Sequence, residues 1–140
     1  TRNYIMSLLE KQVSMVNEIY QKIDFDGIRG FHFKIAATKI WTAAISAGNP
    51  FYSTDDSSVF LDQLSRVNNG KYCLSYAWTY QTFLKGIGGL AFYCSPCVQF
   101  GFRMPGKAHN TGIVTFMSPR STWHLTLAHE LAHSLGSDHD

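Results

Sequence analysis

The last twelve residues leave this chain little freedom in how it can fold. His129-Glu130-Leu131-Ala132-His133-Ser134-Leu135-Gly136-Ser137-Asp138-His139-Asp140 reads H-E-x-x-H-x-x-G-x-x-H-D. Residues four apart in a helix share a face, so His129 and His133 can offer two imidazoles to one ion. A third ligand cannot join them without a turn. Gly136 provides it, because glycine takes a positive φ at little cost, and the chain doubles back to bring in His139. Three neutral imidazoles leave a fourth tetrahedral position for water, the arrangement of a catalytic rather than a structural zinc. Glu130 is not spaced to bind the ion. It points at the water as general base and later carries the proton to the leaving amine.

With 6 His in 140 residues, the whole pattern arises by chance in on the order of 1 in 10^5 such chains. Scattered histidines on a surface helix therefore do not account for it. A third ligand supplied by a glutamate well downstream does not fit, since only His139 stands available.

The rest of the composition sets bounds. The length suits one domain, 1–140, large enough for a real core. Apolar residues make up 45% and aromatics 14%, a globular balance. A net charge of +2 is too small to argue for nucleic acid or direct contact with an acidic membrane surface. No apolar run approaches the roughly 18 residues that span a bilayer. No signal peptide opens the chain. It begins at Thr1 without Met, which reads as an excised domain. Cys73, Cys94 and Cys97 form an odd set, which predicts a partner outside the chain or a free thiol. Cys94-x-x-Cys97 has no second such pair and no following helix, so a disulfide role is favoured over a redox or metal one.

Along the chain, Ile5, Leu8, Leu9, Val13, Val16, Ile19, Tyr20 and Ile23 predict a helix over Tyr4 to Ile23 with one apolar stripe. Asp24-Phe25-Asp26-Gly27 turns the chain. Phe31, Phe33, Ile35 and Ala37 alternate with His32, Lys34 and Ala36, with Ile40 and Trp41 following, and predict a strand with one buried face. Ser46 to Asp56 reads as a loop, and its aspartates Asp55 and Asp56 as a loop tip or helix cap rather than a calcium site. Ser57 to Val67 reads as a short helix closed by Asn68-Asn69-Gly70. Strands are expected in Lys71 to Tyr80, in Leu90 to Tyr93 and in Thr111 to Met117. Gly86 to Gly89 reads as a flexible turn and Val98 to Asn110 as a loop. Ser121 or Thr122 caps the last helix, which is expected to bury Leu125, Leu127, Leu131 and Leu135. His124 lies about 140° around that helix from His129, a poor place for a ligand, and His109 reads as a loop residue. The order of elements points to an α+β chain, a mixed sheet with helices packed on it.

On these residues the chain resembles the catalytic domain of ADAM-type zinc metalloproteases, the reprolysin (adamalysin) group of metzincins. Asp140 after the third His is the group's mark. Ile19-Tyr20-Gln21, Gly27-Ile28-Arg29, Asn49-Pro50-Phe51, Tyr72-Cys73-Leu74-Ser75-Tyr76, Gly89-Leu90-Ala91 and Asn110-Thr111-Gly112-Ile113 extend the likeness toward the alpha-secretase (Kuzbanian) sheddase branch. The resemblance implies a zincin-like fold: a mostly parallel twisted sheet with an antiparallel edge strand, and the active-site helix at the C-terminus. It also implies one catalytic Zn2+ held by His129, His133 and His139, with Glu130 as base. Gly89, Leu90, Ala91 and Phe92 would form the edge along which a peptide adds as an antiparallel strand. It implies endopeptidase activity on membrane-anchored ectodomains at the cell surface or outside it, and a flanking prodomain and disintegrin-like domain.

Three departures set further expectations. The family's Met-turn would follow Asp140, and Met104 and Met117 lie upstream of the motif. The family's first strand would precede Thr1, leaving Cys73 without the upstream partner the family gives it. The loop holding Cys94 and Cys97 is short, and one of them would pair downstream. The alternative to an active protease is a truncated metzincin domain acting as a binding or decoy module. A small-molecule hydrolase using the same zinc site fits the strand-edge pattern less well.

Overall fold

A computed structural model describes residues 2–42, 49–116 and 122–139. The expected Ser121 cap, Met117, Asp140 and part of the loop from Ser46 lie outside the described residues.

Helix α1 runs Arg2–Tyr20. Val16 and Tyr20 are fully buried, and the polar Gln12 and Asn17 are buried with them. The helix ends earlier than Ile23 because its last turn tightens, with Lys22 N–H donating to Ile19 O and Ile23 N–H to Tyr20 O. A two-residue turn follows. Asp26 and Gly27 both take positive φ, 52° and 88°, which suits a tight hairpin between antiparallel partners. Strands β1 (Asp24–Phe25) and β2 (Ile28–Arg29) form that hairpin, and an Asp24–Arg29 ion pair at 2.7 Å closes it.

The strand expected at 31–37 is not a strand. Its alternation survives over 31–36: Phe31, Phe33 and Ile35 are half-buried, while His32, Lys34 and Ala36 are exposed; Ala37, expected on the inward face, is exposed as well. Among the described residues, however, this backbone has no ladder partner. A side chain takes the place of one. Asn17 Nδ2 donates to Phe33 O at 2.9 Å and Phe33 N–H donates to Asn17 Oδ1 at 2.8 Å. The rings then lie on α1 and the hairpin, Phe33 edge-on to Tyr20 at 5.0 Å and Phe31 edge-on to Phe25 at 5.1 Å. The apolar period therefore chose the buried face, and α1 supplied the neighbour.

Helix α2 (Ser57–Ser65) starts where Asp56 caps it, the Oδ1 accepting from Ser58 and Val59 N–H. The main sheet has the order β3-β5-β4, with β3 at Ser75–Thr79, β4 at Gly89–Ala91 and β5 at Thr111–Thr115. A short 3-10 turn at Leu84–Gly86 leads into β4. β3 runs parallel to β5 and β4 antiparallel, so the antiparallel strand lies at the edge. All five residues of β5 are buried, as a central strand covered on both faces requires. Val114 joins Val16, Tyr20, Leu127 and Leu131 on one face, and Ile113 joins Phe60, Leu61, Leu64 and Phe83 on the other. Helices α1 and α3 (Trp123–Leu135) thus cover one side and α2 the other.

The cysteines differ from the pairing that the resemblance implied. Cys73 is not left single: it is bonded to Cys97, at a sequence separation of 24, and Cys94 keeps an exposed free thiol. The two partners meet because Cys97 N–H also donates to Cys73 O at 2.7 Å, which lays the two backbones side by side.

Candidate metal centre and its cleft

Helix α3 carries the centre. Trp123, Leu127, Leu131 and Ser134 recur at helical spacing and face inward. Leu125 does not join them: it is 50% exposed. It stands two residues before Leu127, about 200° around the helix, and lines the cleft instead of the core. Leu135 is half-buried against the core.

Two tyrosines from distant elements fix the helix on either side of its histidines. Tyr20 Oη donates to Ala128 O at 2.8 Å, next to His129, and Tyr76 Oη lies 2.7 Å from Ser134 Oγ, next to His133. Burial pushes both phenols well above their ordinary pKa, so both stay neutral hydroxyls. The Tyr76 ring fits because Gly112 has no side chain: a Cβ there would come within 2.5 Å of the ring.

Gly136 ends α3 at φ 101°, with its N–H donating to His133 O and Ser137 N–H donating to Ala132 O. This left-handed C-cap reverses the chain and returns His139 to the first two histidines. The ring centroids stand at 4.5 Å (His129–His133), 5.0 Å (His129–His139) and 4.6 Å (His133–His139). One nitrogen of each lies within 4.8 Å of the others, and no other such group of three meets among the described residues.

The donor set fits a metal ion. His133 Nδ1 lies 2.8 Å from Ser137 O. A carbonyl only accepts, so Nδ1 carries the proton and Nε2 keeps its lone pair. That Nε2 faces His129 Nε2 at 3.0 Å. Two imidazole nitrogens on one tetrahedral zinc stand about 3.3 Å apart, given bonds of roughly 2.0–2.1 Å, so the pair is already near that spacing. Burial lowers the pKa of His129 first, and the neighbouring His133 and His139 lower it further. A neutral imidazole is the form that ligates.

Glu130 is not part of the three-histidine group, packs against the sheet at Gly89 and is 5% exposed. Gly89 makes room for it, since a Cβ at Gly89 would stand 2.6 Å from Glu130 Cγ. Burial pushes this carboxyl up to about 7, with His133 pulling the other way. Ile87, Gly88, Gly89, Leu125, Thr126, His129 and Glu130 line an open cleft of about 450 Å³.

The β4 edge forms the cleft's other wall. Thr115 N–H donates to Gly88 O and Phe92 N–H to Thr111 O. By alternation, Gly88, Leu90 and Phe92 turn their backbones toward β5, and Gly89 and Ala91 present N–H and C=O at the open edge. Of the four residues expected along that edge, Leu90 and Phe92 put their side chains into the α2-side core. Phe92 also packs against His109, with ring centroids 4.6 Å apart. His109 and His124 stand outside the histidine cluster.

Sequence reasoning did not single out Tyr20, Tyr76 or the role of Gly89 toward Glu130. A glycine inside a strand is a mark of close backbone approach, so Gly89 had a signal. The tyrosine contacts span 108 and 58 residues and left none.

A family model described as reprolysin-like metallo-peptidase family M12B matches residues 4–140. The chain is 37% identical to a Caenorhabditis elegans disintegrin and metalloproteinase domain-containing protein 10 homolog over 168 residues, covering 100% of this chain and 18% of that protein. It is 33% identical to the human disintegrin and metalloproteinase domain-containing protein 10 over 157 residues, covering 100% of this chain and 21% of that protein. The Xenopus laevis protein of that name is 32% identical over the same span. The chain thus spans about a fifth of the length of the curated relatives it matches.

Proposed function

The chain belongs to the reprolysin-like M12B metallopeptidase family, and from that premise we propose that it is the catalytic part of a zinc-dependent endopeptidase. The observation that carries this reading is the meeting of three imidazoles, one of which lines, together with the buried Glu130, a cleft that opens on a strand edge. His129, His133 and His139 would hold the metal. When bound, zinc supplies Lewis acidity that polarises a carbonyl and acidifies water at the open position.

The chain's own residues do the rest. Gly89 and Ala91 offer backbone donors and acceptors to an extended peptide, which adds antiparallel to β4. Leu125 and Ile87 give that peptide apolar contact across the cleft. Glu130 takes a proton from the attacking water and returns it to the departing amine. Burial raises this carboxyl, which favours its holding the proton between those two transfers.

The substrates on this reading are extended stalks of membrane-anchored ectodomains, cut outside the cell or at its surface, with a prodomain and a disintegrin-like domain flanking this one. The Cys73–Cys97 disulfide suits an oxidising compartment. No helix of the described residues is long and apolar enough to cross a membrane.

Glu130→Gln tests the assignment. Cleavage of a quenched peptide should fall about 10^2–10^4-fold while bound zinc, measured on the same sample, stays at the parent level. Undiminished cleavage by the Gln variant overturns the role given to Glu130.

A further inference from the structure

We propose that Tyr93 is a positioning residue for His139, acting through the carbonyl of Gly136. The inference rests on the metal reading above and adds a residue that its motif does not contain.

The end of α3 leaves carbonyls that the helix cannot satisfy. Three consecutive residues after β4 take them up. Tyr93 Oη donates to Gly136 O at 2.7 Å, Cys94 N–H to His133 O at 3.0 Å and Ser95 N–H to Ser134 O at 2.9 Å. The two backbone bonds hold the helix itself. The tyrosine bond reaches past it, to the residue whose left-handed φ sends the chain back toward the cluster. Between Gly136 and His139, among the described residues, only Ser137 O has another side-chain bond to the helix, from His133 Nδ1. His139 N–H is bonded within the turn, to Asp138 Oδ1. Its placement therefore depends on few hydrogen bonds, and among the described residues Tyr93 makes the side-chain one that reaches this turn from outside α3, with the Cys94 side chain packed beside it at Gly136.

The donor segment is itself braced. Arg103 Nη1 donates to Tyr93 O at 3.1 Å and Nη2 to Cys94 O at 2.5 Å. Cys97, two residues past Ser95, is bonded to Cys73 beside β3. Cys94 sits at φ 48°, a region that non-glycine residues rarely enter, so surrounding contacts hold this backbone. The Tyr93 ring is 51% exposed. It buries little, and its hydroxyl is the part in use. Losing a direct hydrogen-bond partner of a ligand commonly changes metal affinity 10- to 100-fold; Tyr93 acts one step farther out, through the Gly136 carbonyl, which sets the lower end of that range as the expected effect.

The experiment measures zinc affinity by competition with a chromophoric chelator for the full chain, Tyr93→Phe, His139→Ala and the double variant. Tyr93→Phe should weaken zinc about tenfold in the parent and less than about threefold where His139 is already absent. Arg103→Gln should shift affinity in the same direction by less, and it serves if the Phe variant misfolds. Equal weakening with and without His139 marks a general structural role and overturns the proposal, as does parental affinity in Tyr93→Phe. If His139→Ala binds zinc like the parent, the metal reading falls with it. If only His139→Ala weakens, that reading stands and this one falls.

Discussion

Residues 31–37 and Thr111–Thr115 look alike to a reader of strand patterns, and the molecule treats them differently. Thr111–Thr115 pairs with β3 on one side and β4 on the other. Its ends are tied as well. Thr111 Oγ1 donates to Ala108 O at 3.0 Å and Thr115 Oγ1 to Gln81 O at 2.6 Å, while Asn110 O accepts from Ser75 N–H at 2.8 Å. Residues 31–36 keep the alternation, and among the described residues the backbone of this stretch is held by one asparagine. A period of two states which side chains turn inward; it is silent about the backbone's partner. The site depends on the first stretch, since β5 positions β4 and β4 leaves the space at Gly89 that Glu130 fills.

The largest test of this contrast adds one branched side chain to each stretch. Gly112→Val places a Cβ about 2.5 Å from the Tyr76 ring, and neither the strand nor the ring, bonded to Ser134, has room to yield. Urea unfolding should show a loss of about 3 kcal/mol or more. Ala36→Val, on the exposed face of the other stretch, should stay within about 0.5 kcal/mol of the parent. Comparable losses at both positions would mean that 31–37 is as tightly framed as β5.

The same contrast explains what was legible in the sequence. The zinc-type motif was readable because its chemistry is local: i and i+4 on a helix, then a glycine that permits the return. The geometry of His129, His133, His139 and Gly136 follows that reading. Asp56 as a cap was local too. Leu125 departs from the expectation of burial because an apolar residue need not face the core: the angle from Leu127 puts it in the cleft. Cys73–Cys97, Tyr20–Ala128 and Tyr76–Ser134 join residues far apart in the chain. No period or propensity encodes such pairs; they follow from the packing of helices on the sheet.

A test of intermediate size removes the substitute for a ladder. Asn17→Ala deletes both bonds to Phe33 and should cost about 1–3 kcal/mol. Hydrogen exchange locates the effect. In the parent, amides of 31–37 should exchange far faster than those of 111–115. In the variant, the former should speed up further and the latter keep the protection that the lowered global stability allows. Slow exchange throughout 31–37 in the parent would show that this stretch has partners beyond Asn17.

The smallest effect is electrostatic and belongs to the clamp just before β5. Lys107 reaches Asp62 on α2, Arg66 reaches the same carboxylate at 2.8 Å, and Ala108 N–H donates to Ser65 O at 2.6 Å. The Lys107 bond, more than the Arg66 one, holds the Asp62 carboxyl below its usual range, with its small burial opposing. A depressed folded pKa means that the unfolded chain binds the proton more tightly. The stabilisation is therefore complete above the ordinary Asp value of about 3.9 and is lost as pH falls below it toward the folded value. Both side chains of the Lys107 pair are partly exposed, 26% and 33%, so solvent screening keeps the contribution to about 0.2–1 kcal/mol. Comparing Asp62→Asn with the parent at pH 6 and pH 3 isolates it: the stability gap should be open at pH 6 and nearly closed at pH 3. Lys34 and Lys39, in and beside the other stretch, have no carboxylate partner among the described residues. The exchange rates of 31–37, corrected for intrinsic pH dependence, should accordingly not follow the Asp62 titration. A matching acid transition there would tie the two stretches together and undo the distinction between them.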